Sequence, residues 1–267
     1  MTEKLAELEE IFSGLENALI AYSGGVDSTL LLKIAHDMLG NNAAGLIVIS
    51  PTLPQRELEE AREIAKGLGV QLIEMNSREM ELPVFTANSD RRCYYCKDHR
   101  YQKLNEYAVE KGYQNLLDGG NVDDLGDYRP GQQAAKEQAV RSPLMEAGFT
   151  KDDIRELARE LELPNWNKPS SACLASRIPY GVEITPVLLQ QIETAENILF
   201  DLGFKEYRVR YHGDIARIEI PLGDFQRIMD HRLKIIEELN KLGFIYITLD
   251  IKGFRSGSLN EGLIDHG

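Results

Sequence analysis

The sequence predicts an α/β protein: a doubly wound parallel sheet followed by a smaller α+β C-terminal domain. Two observations lead there. Short apolar runs such as Ala18–Tyr22 and Ala44–Ile49 alternate with stretches of helical period, the pattern of a parallel sheet with both faces covered by crossover helices. Beyond Thr185 the order changes to helix–strand–strand–helix–strand, with Tyr207–His212 alternating as a strand does. The 267 residues suit about two domains, expected at 1–184 and 185–267.

The elements follow in order. Met1 to Leu15 carries Leu5, Leu8, Ile11, Phe12 and Leu15 on one helical side. After the Ala18–Tyr22 strand, a helix to Leu39 presents Leu30, Leu31, Ile34, Ala35, Met38 and Leu39. A helix is expected from Thr52 to Leu68, Thr52 and Gln55 forming a capping box. Val70–Met75 is the third strand and Asn115–Asp118 a short later one. Helices are expected through Leu104, Tyr107 and Ala108 to Glu110, over Gln132–Val140, and over Asp152–Leu161 with Thr150 as cap. In the second domain Thr185-Pro186 caps a helix ending at Gly203. Strands at Tyr207–His212 and Ala216–Ile220, a helix over Asp224–Lys241 and a strand over Phe244–Ile251 complete the chain.

Between the first strand and its helix stands Ser23-Gly24-Gly25-Val26-Asp27-Ser28. Glycines allow a tight turn and a close ligand approach, and the helix start offers N–H groups to an anion. Asp27 is a candidate magnesium ligand. Without a Gly-Lys-Ser/Thr ending, this is not a Walker A loop. The hexapeptide resembles the PP-loop of ATP pyrophosphatases, which implies ATP cleavage between AMP and pyrophosphate and a sheet of that type. Ligands of open α/β sheets bind beyond the carboxyl ends of strands, which makes Ser50 and the Asp118–Asn121 turn, with Gly119, candidates to flank adenine. Asp118–Gly131 is a long polar loop suited to a magnesium and nucleotide edge.

Three cysteines remain. Cys93 and Cys96 have the spacing of two thiolates on one metal centre, beside Arg91, Arg92 and Lys97; an inert or redox pair is the other reading. Cys173 lies in a loop with Lys168, Ser170, Ser171, Ser176 and Arg177, groups suited to steadying a thiolate and an anionic substrate. Arg208, Arg210 and His212 share a strand face and form a candidate phosphate or carboxylate clamp.

Composition narrows the classes. A net charge of −13 weighs against a large nucleic-acid surface. No run has the length of a membrane span, and the acidic, amphipathic N-terminus does not read as a signal peptide. Three cysteines then fit a cytoplasmic protein with free thiols or a metal site.

With these segments placed, the chain resembles the LarE family of ATP-dependent sacrificial sulfur transferases along nearly its whole length. The matching stretches are Ser23–Ser28, Gly120–Gly131, Lys168–Gly181 around Cys173, Arg208–Ile220 and Gly253–Asn260. The resemblance implies that carboxylates of pyridinium-3,5-biscarboxylic acid mononucleotide are adenylylated by ATP with Mg2+ and then converted to thiocarboxylates for the nickel-pincer cofactor. Implied ATP-binding positions are Ala21, Ser23, Gly24, Gly25, Val26, Asp27, Ser28, Ser50 and Gly119. Cys173 is the implied sulfur centre, and Ser176, Arg177, Arg208 and Arg210 bind substrate. In single-cysteine members the cysteine surrenders its own sulfur and becomes dehydroalanine. Cys93 and Cys96 depart from that pattern. With Cys173 they suit a 4Fe-4S cluster with one open iron, as in similar cluster-bearing PP-loop enzymes; zinc completed by His99 or His212 is the other metal option. Other enzymes of nickel-pincer synthesis are the implied partners, and a homo-oligomer is expected.

Three rival readings stand beside this one. A PP-loop tRNA thiolase would present a basic face, which the charge disfavours. An NAD-synthetase-like ligase needs an ammonia source. A non-catalytic, redox-responsive adenine-nucleotide binder would release no pyrophosphate.

Overall fold

The structure, a computed structural model, describes residues 2–126, 130–169, 172–255 and 257–260. The chain divides into two compact units, the second formed by Thr86–Ser89 and the chain from Ala172 onward, the first by the rest.

In the first unit α1 (Thr2–Ser13) leads to β1 (Ala18–Tyr22), α2 (Val26–Leu39), β2 (Ala43–Ile49), α3 (Gln55–Gly67) and β3 (Gln71–Asn76). A helical turn α4 (Pro83–Thr86), α5 (Arg92–Lys111), β4 (Leu116–Leu117), α6 (Pro130–Glu137), α7 (Pro143–Glu146) and α8 (Lys151–Glu160) follow. The strands form a parallel sheet ordered β3-β2-β1-β4, and Leu117 adds a parallel bridge to Arg141 at its edge. Helices cover both faces, as the apolar runs predict. Ala18, Ile20 and Tyr22 of β1 join α1, α2, α3 and α8 in one core. Leu19 faces the other way, with Tyr101, Leu104 and Ala108 of α5 and Ala135 of α6. That alternation is the two-residue period of a strand buried on both sides.

The second unit contains α9 (Pro186–Asp201), β5 (Arg208–His212), β6 (Ile215–Glu219), α10 (Phe225–Asp230), α11 (Arg232–Lys241) and β7 (Tyr246–Leu249). Its sheet runs β5-β6-β7, an antiparallel hairpin joined by a parallel third strand. Thr185 caps α9 by accepting a hydrogen bond from the Leu188 N–H, with Pro186 in the first turn, as expected.

Two local expectations are corrected. The expected capping box at Thr52 does not form. Helix α3 starts at Gln55 without a side-chain cap, because the Thr52 hydroxyl is committed to Ser50, Glu79 and Arg100. The single helix expected over Asp224–Lys241 is two, broken at His231 with φ −92° and ψ 2°, the bridge region that leaves helical geometry.

Candidate active site

The PP-loop sequence builds the tight turn its glycines predict. Gly24 has φ +73°, and a Cβ there would stand 2.7 Å from the Ala61 Cβ of α3. Only glycine adopts this turn at this approach. The turn is tied internally. Ser28 Oγ donates to the Gly25 carbonyl at 3.1 Å and accepts from the Ser23 N–H at 3.2 Å. Buried Asn165 donates to the Gly24 carbonyl (3.0 Å) and to Thr29 Oγ1 (2.9 Å). Helix α2 then begins without a side-chain cap, so its first N–H groups are not taken by a capping oxygen.

A cleft of about 860 Å3 opens onto this turn, within the usual range for small-molecule sites. Ala21, Ser23, Gly25, Asp27, Ser28 and Gly119 line it. Leu46, Ile47, Val48 and Leu53 give it an apolar wall, and Lys97, Arg100, Lys136 and Arg141 add positive charge. At Gly119 a Cβ would lie 2.8 Å from the Ser28 N, so the turn after β4 presses directly on the PP-loop helix. Asp118 accepts hydrogen bonds from Tyr101 Oη (2.6 Å), Ser142 Oγ (2.6 Å) and the Gly120 N–H (3.0 Å). Burial foremost, then the Asp118 charge, pushes the Tyr101 phenol well above its ordinary range, so Tyr101 stays a neutral donor.

The other expected nucleotide positions fall behind the lining. Val26 is buried in the core. Ser50 is buried among Thr52 (2.7 Å), Arg100 (3.3 Å) and, through these, the fully buried Glu79. Gly24 shapes the turn from beneath.

Asp27 faces the cleft with both carboxylate oxygens held by Lys151 Nζ, at 2.6 and 2.7 Å. Burial raises its carboxyl above the usual value, and the Lys151 charge works against that. Sequence reasoning missed Lys151, Arg100 and Tyr101. Lys151 reaches Asp27 from α8, while Arg100 and Tyr101 line the cleft from α5, and nothing in local spacing marks them.

Cys93 and Cys96 lie in the first turns of α5, three residues apart and so on one helical face. Cys93 is exposed, Cys96 half-buried, and neither forms a disulfide. Arg92 Nη2 stands 3.9 Å from Cys93 Sγ. Among the described residues, no three His, Cys, Asp or Glu side chains are gathered as a metal site, His99 and His212 included.

In the second unit Cys173 is half-buried at the start of a 3-10 turn, Leu174–Arg177. Ser170 and Ser171, expected beside it, lie outside the described residues, as do Asp127, Tyr128 and Arg129 of the polar loop and Ser256 of the tail. The expected substrate residues separate by role. Arg177 is buried, pairs with Glu196 through two nitrogens (2.8 and 3.0 Å), and donates to the Ala172 and Cys173 carbonyls and to Ser176 Oγ. Arg210 pairs with Glu219 in the same way (both 3.0 Å) and holds the Ser176 carbonyl and Ser258 Oγ. These two guanidiniums are braces of the Cys173 turn. Arg208 differs. It donates to the Arg255 carbonyl at 3.3 Å, lies over the Phe254 ring, and has no carboxylate pair among the described residues. Burial, with the like charges of Arg177 and Arg210, lowers its pKa to about 10. Burial and neighbouring like charges both disfavour the charged form of such a side chain.

A strand–Ser-Gly-Gly-Val-Asp-Ser–helix turn closing an apolar, positively charged cleft defines an ATP-using enzyme of the PP-loop class. Comparison with known proteins agrees. The NAD synthase family model matches residues 7–102. The pyridinium-3,5-bisthiocarboxylic acid mononucleotide synthase of Lactiplantibacillus plantarum is 40% identical, over 98% of this chain and 96% of its own. An uncharacterized protein of Synechocystis is 44% identical over 98% and 99%. The NH(3)-dependent NAD(+) synthetase of Finegoldia magna is 30% identical over 62% of this chain. The chain belongs to the LarE family of PP-loop enzymes and is an ATP-using sulfurtransferase.

Proposed function

We propose that this enzyme adenylylates the carboxylates of pyridinium-3,5-biscarboxylic acid mononucleotide and converts them to thiocarboxylates, working in the cytoplasm with other enzymes of nickel-pincer cofactor synthesis. The observation that carries this reading is the end-to-end match to the bisthiocarboxylic acid mononucleotide synthase, which runs through both units.

The residues divide the work. The Ser23–Ser28 turn holds the ATP phosphates with its amides and hydroxyls, while Ala21 and Gly119 border the nucleotide. Val26 and Ser50 act from behind, by holding the helix start and the end of β2. Asp27, a carboxylate facing the cleft and so suited to a hard cation, would hold Mg2+, which neutralises phosphate charge. A substrate carboxylate oxygen attacks the α-phosphorus and pyrophosphate leaves. Arg208, with Ser176, takes the substrate phosphate, and Arg177 and Arg210 keep the Cys173 turn in place. Positive groups fixed before the reaction stabilise the charge that develops during it.

Sulfur delivery is proposed to centre on Cys173. Two thiols on one face of α5 fit two ligands of a thiolate-bound cluster, and Cys173 would be the third. A 4Fe-4S cluster held by Cys93, Cys96 and Cys173 would supply a further, replaceable sulfide.

The test is a single turnover after purification without oxygen, with iron content, visible spectrum and protein mass recorded. Iron-bearing protein that forms thiocarboxylate and pyrophosphate with Cys173 intact supports the full reading. Iron-free protein that loses hydrogen sulfide mass at Cys173 replaces the cluster by the sacrificial route. Absence of pyrophosphate release with this substrate overturns the substrate assignment.

A further inference from the structure

We propose that Lys151 is a cation placeholder at the nucleotide site: without nucleotide its ammonium occupies the Asp27 carboxylate, and the divalent cation arriving with ATP displaces it. The inference rests on the reading of Asp27 as the metal-binding carboxylate.

The geometry makes the two occupants mutually exclusive. Lys151 Nζ stands 2.6 and 2.7 Å from the two oxygens of Asp27. A magnesium ion approaches a carboxylate oxygen to roughly 2.0–2.1 Å and tolerates little distortion. An ammonium spread across both oxygens sits where that ion must come. Like charge then opposes any sharing of the carboxylate.

The chain around Lys151 is built for a moving tip on a fixed base. Lys151 opens α8, whose Thr150 capping box is complete. Its N–H donates to Asp123 Oδ2 at 2.7 Å. The side chain is about a quarter exposed (25%), so it keeps an open side toward solvent. A lysine suits this role, being a point charge on a flexible stem with no fork to match a carboxylate plane.

The test titrates Mn2+ into nucleotide-free, full-length protein and follows free metal by electron paramagnetic resonance. Wild type should bind weakly. Lys151→Met should bind on the order of tenfold tighter, the effect of removing one like charge a few ångströms away at a partly buried site. Lys151→Arg, which keeps the charge, should stay with wild type, and Asp27→Asn should erase the gain. Should Lys151→Met fail to fold, Lys151→Gln carries the same reading. Unchanged or weaker Mn2+ binding in the uncharged variant, while Asp27→Asn weakens Mn2+–ATP binding, overturns the proposal and makes the pair purely structural. Mn2+–ATP binding that Asp27→Asn leaves intact instead overturns the metal-ligand reading beneath it.

Discussion

Arg177 and Glu196 form a buried, two-pronged ion pair, Nε to Oε1 at 2.8 Å and Nη2 to Oε2 at 3.0 Å. Glu196 Oε1 also accepts from the Val209 N–H at 3.0 Å. One carboxylate on α9 therefore ties β5 to the turn that begins at Cys173. Removing the Glu196 charge strands a buried guanidinium, so Glu196→Gln should lower unfolding free energy by about 3–5 kcal/mol. Arg177→Lys should also destabilise, because an ammonium cannot reproduce the fork. Urea unfolding of both variants against wild type checks this. Loss of activity without loss of stability would contradict the bracing role.

Arg208 should behave in the opposite way. Among the described residues it has no carboxylate to strand, and its charge is opposed by Arg177 and Arg210. Burial and those like charges lower its pKa to about 10, below the unfolded value. Such a cation works against folding below about pH 10, and that opposition fades as pH rises toward the unfolded value. Arg208→Gln should therefore keep or slightly raise thermal stability near neutrality. It should also raise KM for the pyridinium mononucleotide several-fold and blunt the stabilisation that this ligand gives. Thermal unfolding with and without ligand reads both effects. A large stability loss without ligand would sink the anion-receptor role.

The contrast between these arginines shows what sequence carried and what it did not. The alternation of Arg208, Val209 and Arg210 marks a strand face, but carboxylates on α9 and β6 decide which guanidinium is spent internally. Those partners come from residues 196 and 219, whose meeting depends on tertiary packing. The first unit was more legible. Apolar strands, the glycine turn and the Thr150 cap are local signals and hold in the structure. Thr52 was misread because a buried polar network outcompeted a local cap. Lys151 was missed because its partner is 124 residues away.

The two glycines of the PP-loop should respond differently to a methyl group. At Gly24 an alanine meets both a positive φ and the Ala61 Cβ at 2.7 Å. Gly24→Ala should then cost about 1–3 kcal/mol of stability as overpacking, together with nucleotide binding. At Gly25 the nearest atom to an added Cβ is Ser23 Oγ at 3.4 Å, an ordinary contact, and φ is −76°. Gly25→Ala should fold normally and lose ATP affinity alone, because the methyl stands on the lining of the cleft. Melting curves and calorimetric ATP titrations of the two variants separate these outcomes. Equal destabilisation by both would show that the turn is not held against α3.

The cap of α8 should make part of the stability sensitive to acid. Asp153 accepts from Lys4 Nζ at 2.5 Å and from the Thr150 hydroxyl and N–H at 2.6 and 2.8 Å. These bonds, Lys4 first, lower its pKa from 3.8 to about 2. A carboxylate depressed in the fold contributes stability that is complete above the unfolded value and lost as pH falls through the folded one. The advantage of wild type over Asp153→Asn should thus be steady near neutrality and shrink between 3.8 and about 2. Thr150→Ala removes the other half of the box and should cost about 1 kcal/mol at neutral pH. Because Lys151 is the next residue, the same change should loosen its hold on Asp27 and raise Mn2+ affinity of the nucleotide-free protein, though less than Lys151→Met does. Urea unfolding across the acid range, with the Mn2+ titration repeated on Thr150→Ala, measures both. Metal affinity unmoved by a demonstrably weakened cap would mean that the base of Lys151 is fixed by Asp123 instead.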